Sequence, residues 1–238
     1  MRFDLFWVLM GRTAYVFAPL YLIPFAYGFA FGDLLWGAFL ALGVLAAILG
    51  GFAHPYAAVP FVILACYFAY FFRSPAREIV QHRDHILSPA DGTVTEICPV
   101  PADEFVGEPC NKIVIFMSVF NVHVNRSPID GEIKLQRYYC GRFRPAYKDE
   151  VGFENEHHLI GIDRGDLRVT VKQIAGILAR RIVSWVTLDD KMQQGEIYGM
   201  IRFGSCLEVV MPVRAKVLVE KGEKVQGGIT VQGRLDGE

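Results

Sequence analysis

Residues 13–72 carry a single formal charge, Asp33, with His54 as the other polar interruption, whereas from Arg73 onward charged residues recur every few positions. A chain divided in this way must fold in two environments. Residues 34–53 (LLWGAFLALGVLAAILGGFA) are twenty uncharged residues, long enough as a helix to cross about 30 Å of hydrocarbon. Residues 56–72 (YAAVPFVILACYFAYFF) are slightly shorter, are bounded by Arg73 and carry aromatic residues suited to an interface. Together they read as a helical hairpin over about 34–72 that turns at His54-Pro55. Residues 13–31 are also apolar, but Pro19 and Pro24 each remove a backbone donor and favour a kinked or interfacial helix over a straight span. Arg2 and Arg12 precede the block and Arg73 and Arg77 follow it, which favours an even number of crossings with both flanks cytoplasmic. The apolar region is too long for a cleaved signal peptide. The expected organisation is a membrane-anchoring helical region, 1–78, and a second domain, 79–238, on the cytoplasmic side of the inner membrane.

The anchor absorbs the excess of apolar residues, which make up 53% of the chain, and a net charge of −1 offers no basic field for nucleic acid. The five cysteines, Cys66, Cys98, Cys110, Cys140 and Cys206, are odd in number and show no paired spacing. They read as free thiols in a reducing compartment, with no metal site indicated. From about His85 the pattern is that of strands: GTVTEI, KIVIFMSV, GEIKLQRYY, LRVTVKQI, RRIVSWVTL, CLEVVMPV and AKVLVEK, separated by Gly, Pro and Asp-rich turns. A mainly β domain, sandwich or barrel, is expected. Two internal echoes sharpen this: SPADGTV (88–94) recurs as SPIDGEI (127–133), and DKMQQGEI (190–197) as EKVQGGIT (223–230). Repetition of a turn with its following strand marks a quasi-symmetric β fold. The KGEKVQGG turn resembles those of biotinyl and lipoyl carrier domains, so the expected class is a barrel-sandwich-hybrid-like β domain preceded by the helical anchor. Lys191 reads as part of the first copy of that turn.

Gly204-Ser205 interrupts the strand-like GMIRFGSCLEV, and two readings stay open. One is a bulge, which Gly in a strand often marks. The other is chemistry. A hydrolase elbow needs G-x-S-x-G between strand and helix, and this context lacks it. In a tight turn, however, Ser205 Oγ can attack the Gly204 carbonyl and convert the amide to an ester. Elimination then breaks the chain and leaves a dehydroalanine, which hydrolyses to a pyruvoyl group with loss of ammonia. Such a carbonyl forms a Schiff base with an amine and acts as an electron sink for decarboxylation. The route needs a base and a proton donor, and His123, in SVFNVHVNRSPIDG, reads either as a structural or exposed histidine or as the cleft-facing imidazole that supplies both. Asp91 reads either as a turn residue or as the carboxylate orienting that histidine. His157 and His158, in GFENEHHLIG, read as a surface loop or a substrate-facing one.

FFRSPAR (71–77), SPADGTV (88–94), FNVHVNRSPIDG (120–131), ARRIVSWV (179–186) and GMIRFGS (199–205) occur in this order over nearly the whole chain. In them the chain resembles the short bacterial and archaeal class of phosphatidylserine decarboxylase proenzymes. The resemblance implies a membrane-bound enzyme that converts phosphatidylserine to phosphatidylethanolamine and CO2. It implies self-cleavage at Gly204-Ser205 into a β chain (1–204) and an α chain (205–238) that stay associated, with a pyruvoyl cofactor made from Ser205. Asp91, His123 and Ser205 would form the self-processing group, and His123 would also protonate the product. The family's NERN-like motif is NEHH here, at Asn155 to His158; Cys206 stands where Arg is common, and Arg126 where long forms carry a second histidine. Arg73, Arg77, Arg142 and Arg144, with His157 and His158, are the candidates for the lipid head group. An ether-linked archaeal lipid presents the same head group, and a homodimer is admitted. The reading from another class is a non-enzymatic membrane-anchored β carrier or transport adaptor.

Overall fold

A computed structural model of the chain describes residues 41–46, 48, 56, 59–141, 155–176, 182–201 and 205–235. The chain divides into two compact units, Met1–Arg73 and Ser74–Glu238. In the first, helix α1 (Val59–Phe71) has thirteen residues, about 20 Å of rise. Residues 41–46 are also helical. Among the described residues no helix is long and apolar enough to cross a membrane. Most of the expected span 34–53, and all of 13–31, lie outside the described residues.

The second unit is mainly β. Its strands are β1 (His85–Leu87), β2 (Gly92–Val100), β3 (Cys110–Met117), β4 (Val124–Arg126), β5 (Gly131–Tyr139), β6 (His157–Asp163), β7 (Arg168–Ala175), β8 (Ile182–Ser184), β9 (Lys191–Met192), β10 (Ile197–Ile201), β11 (Ser205–Pro212), β12 (Ala215–Val217), β13 (Lys224–Val225) and β14 (Val231–Leu235). They form an eight-stranded sheet in the order β13-β2-β3-β11-β7-β6-β5-β9 and two small sheets, β1-β14-β12 and β4-β10-β8.

These orders are those of a duplicated unit. The large sheet reads the same from either edge if β13 corresponds to β9, β2 to β5, β3 to β6 and β11 to β7, and the small sheets then match strand for strand. The register agrees. β2 carries its bulge between Val94 and Glu96, and β5 carries one at the matching place between Ile133 and Leu135. The pseudo-two-fold axis passes by the registered pair Val171 and Val209, where β7 meets β11. One copy, β4 to β10, is contiguous and is inserted between β3 and β11 of the other.

The repeats seen in the sequence are the turns on which the two copies meet. Ser88 Oγ donates to the Ala90 carbonyl at 2.8 Å and Ser127 Oγ to that of Ile129 at 2.6 Å, the same turn made twice. The copies then exchange hydrogen bonds, Leu87 N to Pro128 O at 2.9 Å and Arg126 N to Pro89 O at 2.8 Å. Within each copy the second repeat closes on the first: Val94 N donates to Glu223 O, and Ile133 N to Asp190 O, both at 2.9 Å. Gly92 and Gly131 end the two Ser-Pro turns for one steric reason. A Cβ on Gly92 would lie 2.3 Å from the Phe116 carbonyl oxygen, and one on Gly131 would lie 2.8 Å from that of Asp163. Backbone on the neighbouring strand cannot move aside as a side chain could.

Candidate active site

Ser205 opens β11 and is fully buried, registered against Met117 on β3 and Ala175 on β7. Gly204 lies outside the described residues. Side chains alternate along a strand, and Leu207, Val209 and Met211 enter the main core together with Val169, Val171 and Ala175 of β7. By that alternation Ser205 and Gln173 belong to the inner face. Cys206 belongs to the outer one, where it packs with Ile174. Burial pushes the Cys206 thiol up to about 12, so the residue beside the serine is a packing group and not a second nucleophile.

His157 and His158 are not on a loop. They begin β6, and both are buried. The alternation of HHLIGID is obscured because this strand is covered on both faces, Gly161 lying against the Phe105 ring. As neighbours in a strand the two imidazoles point to opposite faces. His157 stacks on Tyr139, centroids 4.5 Å apart, with Nδ1 2.7 Å from the Asn155 carbonyl. His158 turns inward, with Nδ1 3.0 Å from Gln173 Oε1 and Nε2 3.2 Å from Gln136 Nε2.

From His158 a buried polar chain leads to the serine. Gln173 Nε2 donates to Asn125 Oδ1 at 2.8 Å, Asn125 Nδ2 faces the Met117 sulfur at 3.9 Å, and Ser205 Oγ donates to the same sulfur at 3.5 Å. Asn125 and Gln173 are fully buried. Neither was among the residues singled out from the sequence, although one signal was present. In LRVTVKQIAG, Gln173 occupies a place in the alternation that Val169 and Val171 give to the core.

His123 immediately precedes β4 and is fully buried. Its Nδ1 lies 3.0 Å from the Asn121 carbonyl, which can only accept, so a neutral ring carries its proton there and Nε2 is the basic nitrogen. Its own carbonyl accepts from Ile201 N at 3.3 Å, at the end of β10. Ser205 follows four residues later, within about 14 Å of chain.

Asp91 is held by Arg77 and by the turn at Gly227. Arg77 Nη1 and Nη2 reach Asp91 Oδ1 and Oδ2 at 2.7 and 2.8 Å, and Gly227 N donates to Oδ1 at 2.8 Å. Arg77 also donates to the Gly227 carbonyl. Its side chain is only 9% exposed, so while this pair holds it is not open to a lipid phosphate. Arg73 lies over the Tyr70 ring at 3.8 Å and donates to the Tyr70 carbonyl. Arg142 and Arg144 lie outside the described residues. The serine site breaks the duplication. By strand register Leu167 takes the place of Ser205 in the other copy, and Asp130, the partner of Asp91, has a half-exposed side chain 3.3 Å from Arg164. Among the described residues no group of histidine, cysteine or acidic side chains is arranged to hold a metal ion.

His157 and His158 both titrate below the ordinary 6.5. Burial lowers each, opposed in His157 by the Asn155 carbonyl and in His158 by Gln173. The unfolded chain therefore protonates these rings first. Their neutral forms favour the native state fully above about pH 6.5, and that contribution is lost as pH falls toward the folded values. In urea melts between about pH 7 and 5, stability should decline with acid, each ring adding a limiting slope of about 1.4 kcal/mol per pH unit. His158→Asn should remove one share. An unchanged slope in that variant would place the titration elsewhere.

Ser205 thus lies buried at the head of a strand in a duplicated β domain, its hydroxyl on the sulfur that the Asn125 amide also faces. The comparisons give the family. The family model for phosphatidylserine decarboxylase matches residues 64–233. A phosphatidylserine decarboxylase proenzyme of Carboxydothermus hydrogenoformans is 43% identical over 199 residues, 83% of this chain and 93% of its own. One from Symbiobacterium thermophilum is 43% identical over 200 residues, 84% and 91% of the two chains. One from Syntrophus aciditrophicus is 46% identical over 160 residues, 67% and 75%. The chain belongs to the phosphatidylserine decarboxylase family, and with it to the decarboxylating lyases.

Proposed function

We propose that this protein is made as a proenzyme, cleaves itself between Gly204 and Ser205, and decarboxylates a serine phospholipid to the corresponding ethanolamine phospholipid and CO2. The observation that carries the reading is Ser205, fully buried at the head of β11 in a member of this family.

In the first step Ser205 Oγ bonds to the Gly204 carbonyl carbon, the carbon–nitrogen bond breaks, and the hydroxyl proton passes to the Ser205 nitrogen. Loss of the Ser205 Cα proton with departure of the Gly204 carboxylate then breaks the Cβ–Oγ bond. Water replaces the nitrogen, which leaves as ammonia. His123 is the proposed base, its Nδ1–H anchored on Asn121 so that Nε2 carries the lone pair. Asp91 is proposed to assist through the capacity it retains, since a carboxylate offers about four acceptor sites and Arg77 and Gly227 engage three. The residues fit a carbonyl at position 205: the place is buried, with the polar side chains of Asn125 and Gln173 nearby on the inner side. Once formed, that carbonyl supplies the electron sink for loss of the substrate carboxylate. His123 returns a proton to the product. The two chains stay together because β11 remains hydrogen-bonded between β3 and β7 along its length.

The apolar block 13–72 and its flanking arginines support attachment to the inner membrane with the β domain on the cytoplasmic side. Intact-mass measurement on protein purified from membranes tests the mechanism. Two chains, the smaller beginning with a blocked residue 205, are expected, and an active chain with the 204–205 bond intact would sink it. Vesicles of ester-linked and ether-linked serine lipid, assayed side by side, identify the substrate, with the ester-linked form expected to turn over.

A further inference from the structure

We propose that Asn125 is a positioning residue for the self-cleavage step, its amide turned by Gln173 and His158 so that its donor end, and not its acceptor end, faces the Met117 sulfur on which the reacting serine rests. The inference rests on the self-processing reading above.

The orientation of Asn125 follows from a backbone carbonyl several links away. The Val186 carbonyl can only accept, and Gln136 Nε2 lies 2.8 Å from it. The same Gln136 nitrogen lies 3.2 Å from His158 Nε2, which must then accept, so the ring proton is on Nδ1. That nitrogen donates to Gln173 Oε1 at 3.0 Å, which turns Gln173 Nε2 toward Asn125 Oδ1 at 2.8 Å. Asn125 is left presenting its NH2 group to the Met117 sulfur, which also receives the Ser205 hydroxyl. An amide chain of this kind carries no proton; it fixes a direction.

The direction matters because of what it withholds. A thioether is a weak acceptor, so the Ser205 hydroxyl is placed but only lightly held, and a base can take its proton at small cost. If Asn125 turned over, its carbonyl oxygen would stand where the NH2 group now stands. Beside the sulfur on which Ser205 rests, a neutral amide oxygen in a buried site is a stronger acceptor than the thioether; by drawing the hydroxyl off the sulfur it would hold the proton away from the base. The chain has no counterpart in the other copy, where Ile86 and Met211 take the places of Asn125 and Gln173 and hydrogen-bond nothing through their side chains.

The test compares variants by the rate at which the full-length chain disappears in intact-mass spectra, beside urea melts. Asn125→Asp places acceptors on both sides of the carboxyl and should slow self-cleavage at pH 8 by about tenfold or more, the effect of one misplaced strong hydrogen bond. Asn125→Leu offers no acceptor to Ser205 and strands the Gln173 donor, so it should lose stability and still cleave at close to the wild-type rate. A residue that mattered only for packing would slow cleavage in the leucine variant too, in step with the stability lost. Gln173→Met keeps the volume, frees Asn125 to turn, and decides the matter should the aspartate variant fail to fold; wild-type cleavage in it overturns the proposal. Hydroxylamine cleaves an ester and not a peptide, so it should leave the slow variants slow, because the block precedes the ester. Rapid cleavage on its addition would show normal attack by Ser205 and overturn the proposal. An uncut wild-type chain would overturn the self-processing reading and this one with it, whereas a cut wild type with equally fast variants would remove the positioning role alone.

Discussion

Ser205→Ala yields a single chain of full length that folds and does not decarboxylate. The fold should survive because the serine contributes little to it: among the described residues its hydroxyl bonds only to the Met117 sulfur, at 3.5 Å, and losing so weak a bond at a fully buried site costs about 1 kcal/mol at most. Alanine leaves the inner-face packing of β11 in place and introduces no polar atom. Activity should nevertheless fall to background, because an alanine has no oxygen with which to attack Gly204 and no leaving group on Cβ from which a carbonyl could arise. Mass spectra, melts and CO2 release on serine-lipid vesicles from one preparation are sufficient. Residual turnover by the uncut, folded variant would mean that the electron sink does not come from position 205. Loss of folding, on the other hand, would show that the site tolerates less than its one weak bond implies.

What could be read from the sequence followed the length over which a pattern persists. The apolar block and the longer strands, β2, β3, β5, β7 and β11, announce themselves by runs of eight or nine residues. Strands of two or three residues such as β1, β4, β9 and β13 cannot show an alternation, so they did not stand out, whereas β8 and β12 of the small sheets lie within the longer runs RRIVSWVTL and AKVLVEK. The duplication showed only at its turns. There Gly92 and Gly131 answer to a backbone carbonyl a few ångströms away, whereas the strands between accept any apolar residue of suitable size. β6 was mistaken for a loop because its first residues, His157 and His158, are polar, and their burial depends on partners far along the chain. Ser205 and His123 stood out by residue type and local context. Asn125 and Gln173 did not, since an amide gains its meaning from the direction its neighbours impose, and that direction belongs to the folded state.

Arg77 is the sharpest case of a residue whose surroundings in sequence mislead, because an arginine just after an apolar block reads as an interfacial charge. Folded, it is a buried clamp. Its two terminal nitrogens hold both oxygens of Asp91, and it also reaches the Gly227 carbonyl while Gly227 N returns a bond to Asp91. It thus joins the start of the β domain to the first Ser-Pro turn and to the KVQGG turn of the same copy. Side-chain exposures of 9% and 14% leave little water to replace either partner. Removing one member of such a pair strands a charge, and Arg77→Met should lower stability by about 3 to 5 kcal/mol, easily seen as a shift in the urea midpoint. Arg77→Met with Asp91→Asn leaves no charge and should recover most of that loss. The double variant also separates architecture from chemistry at Asp91. With stability restored, self-cleavage should remain slow, because the carboxylate proposed to assist His123 is absent. Cleavage at the wild-type rate in a stable double variant would confine Asp91 to its clamp on Arg77 and leave self-processing to His123 and Ser205.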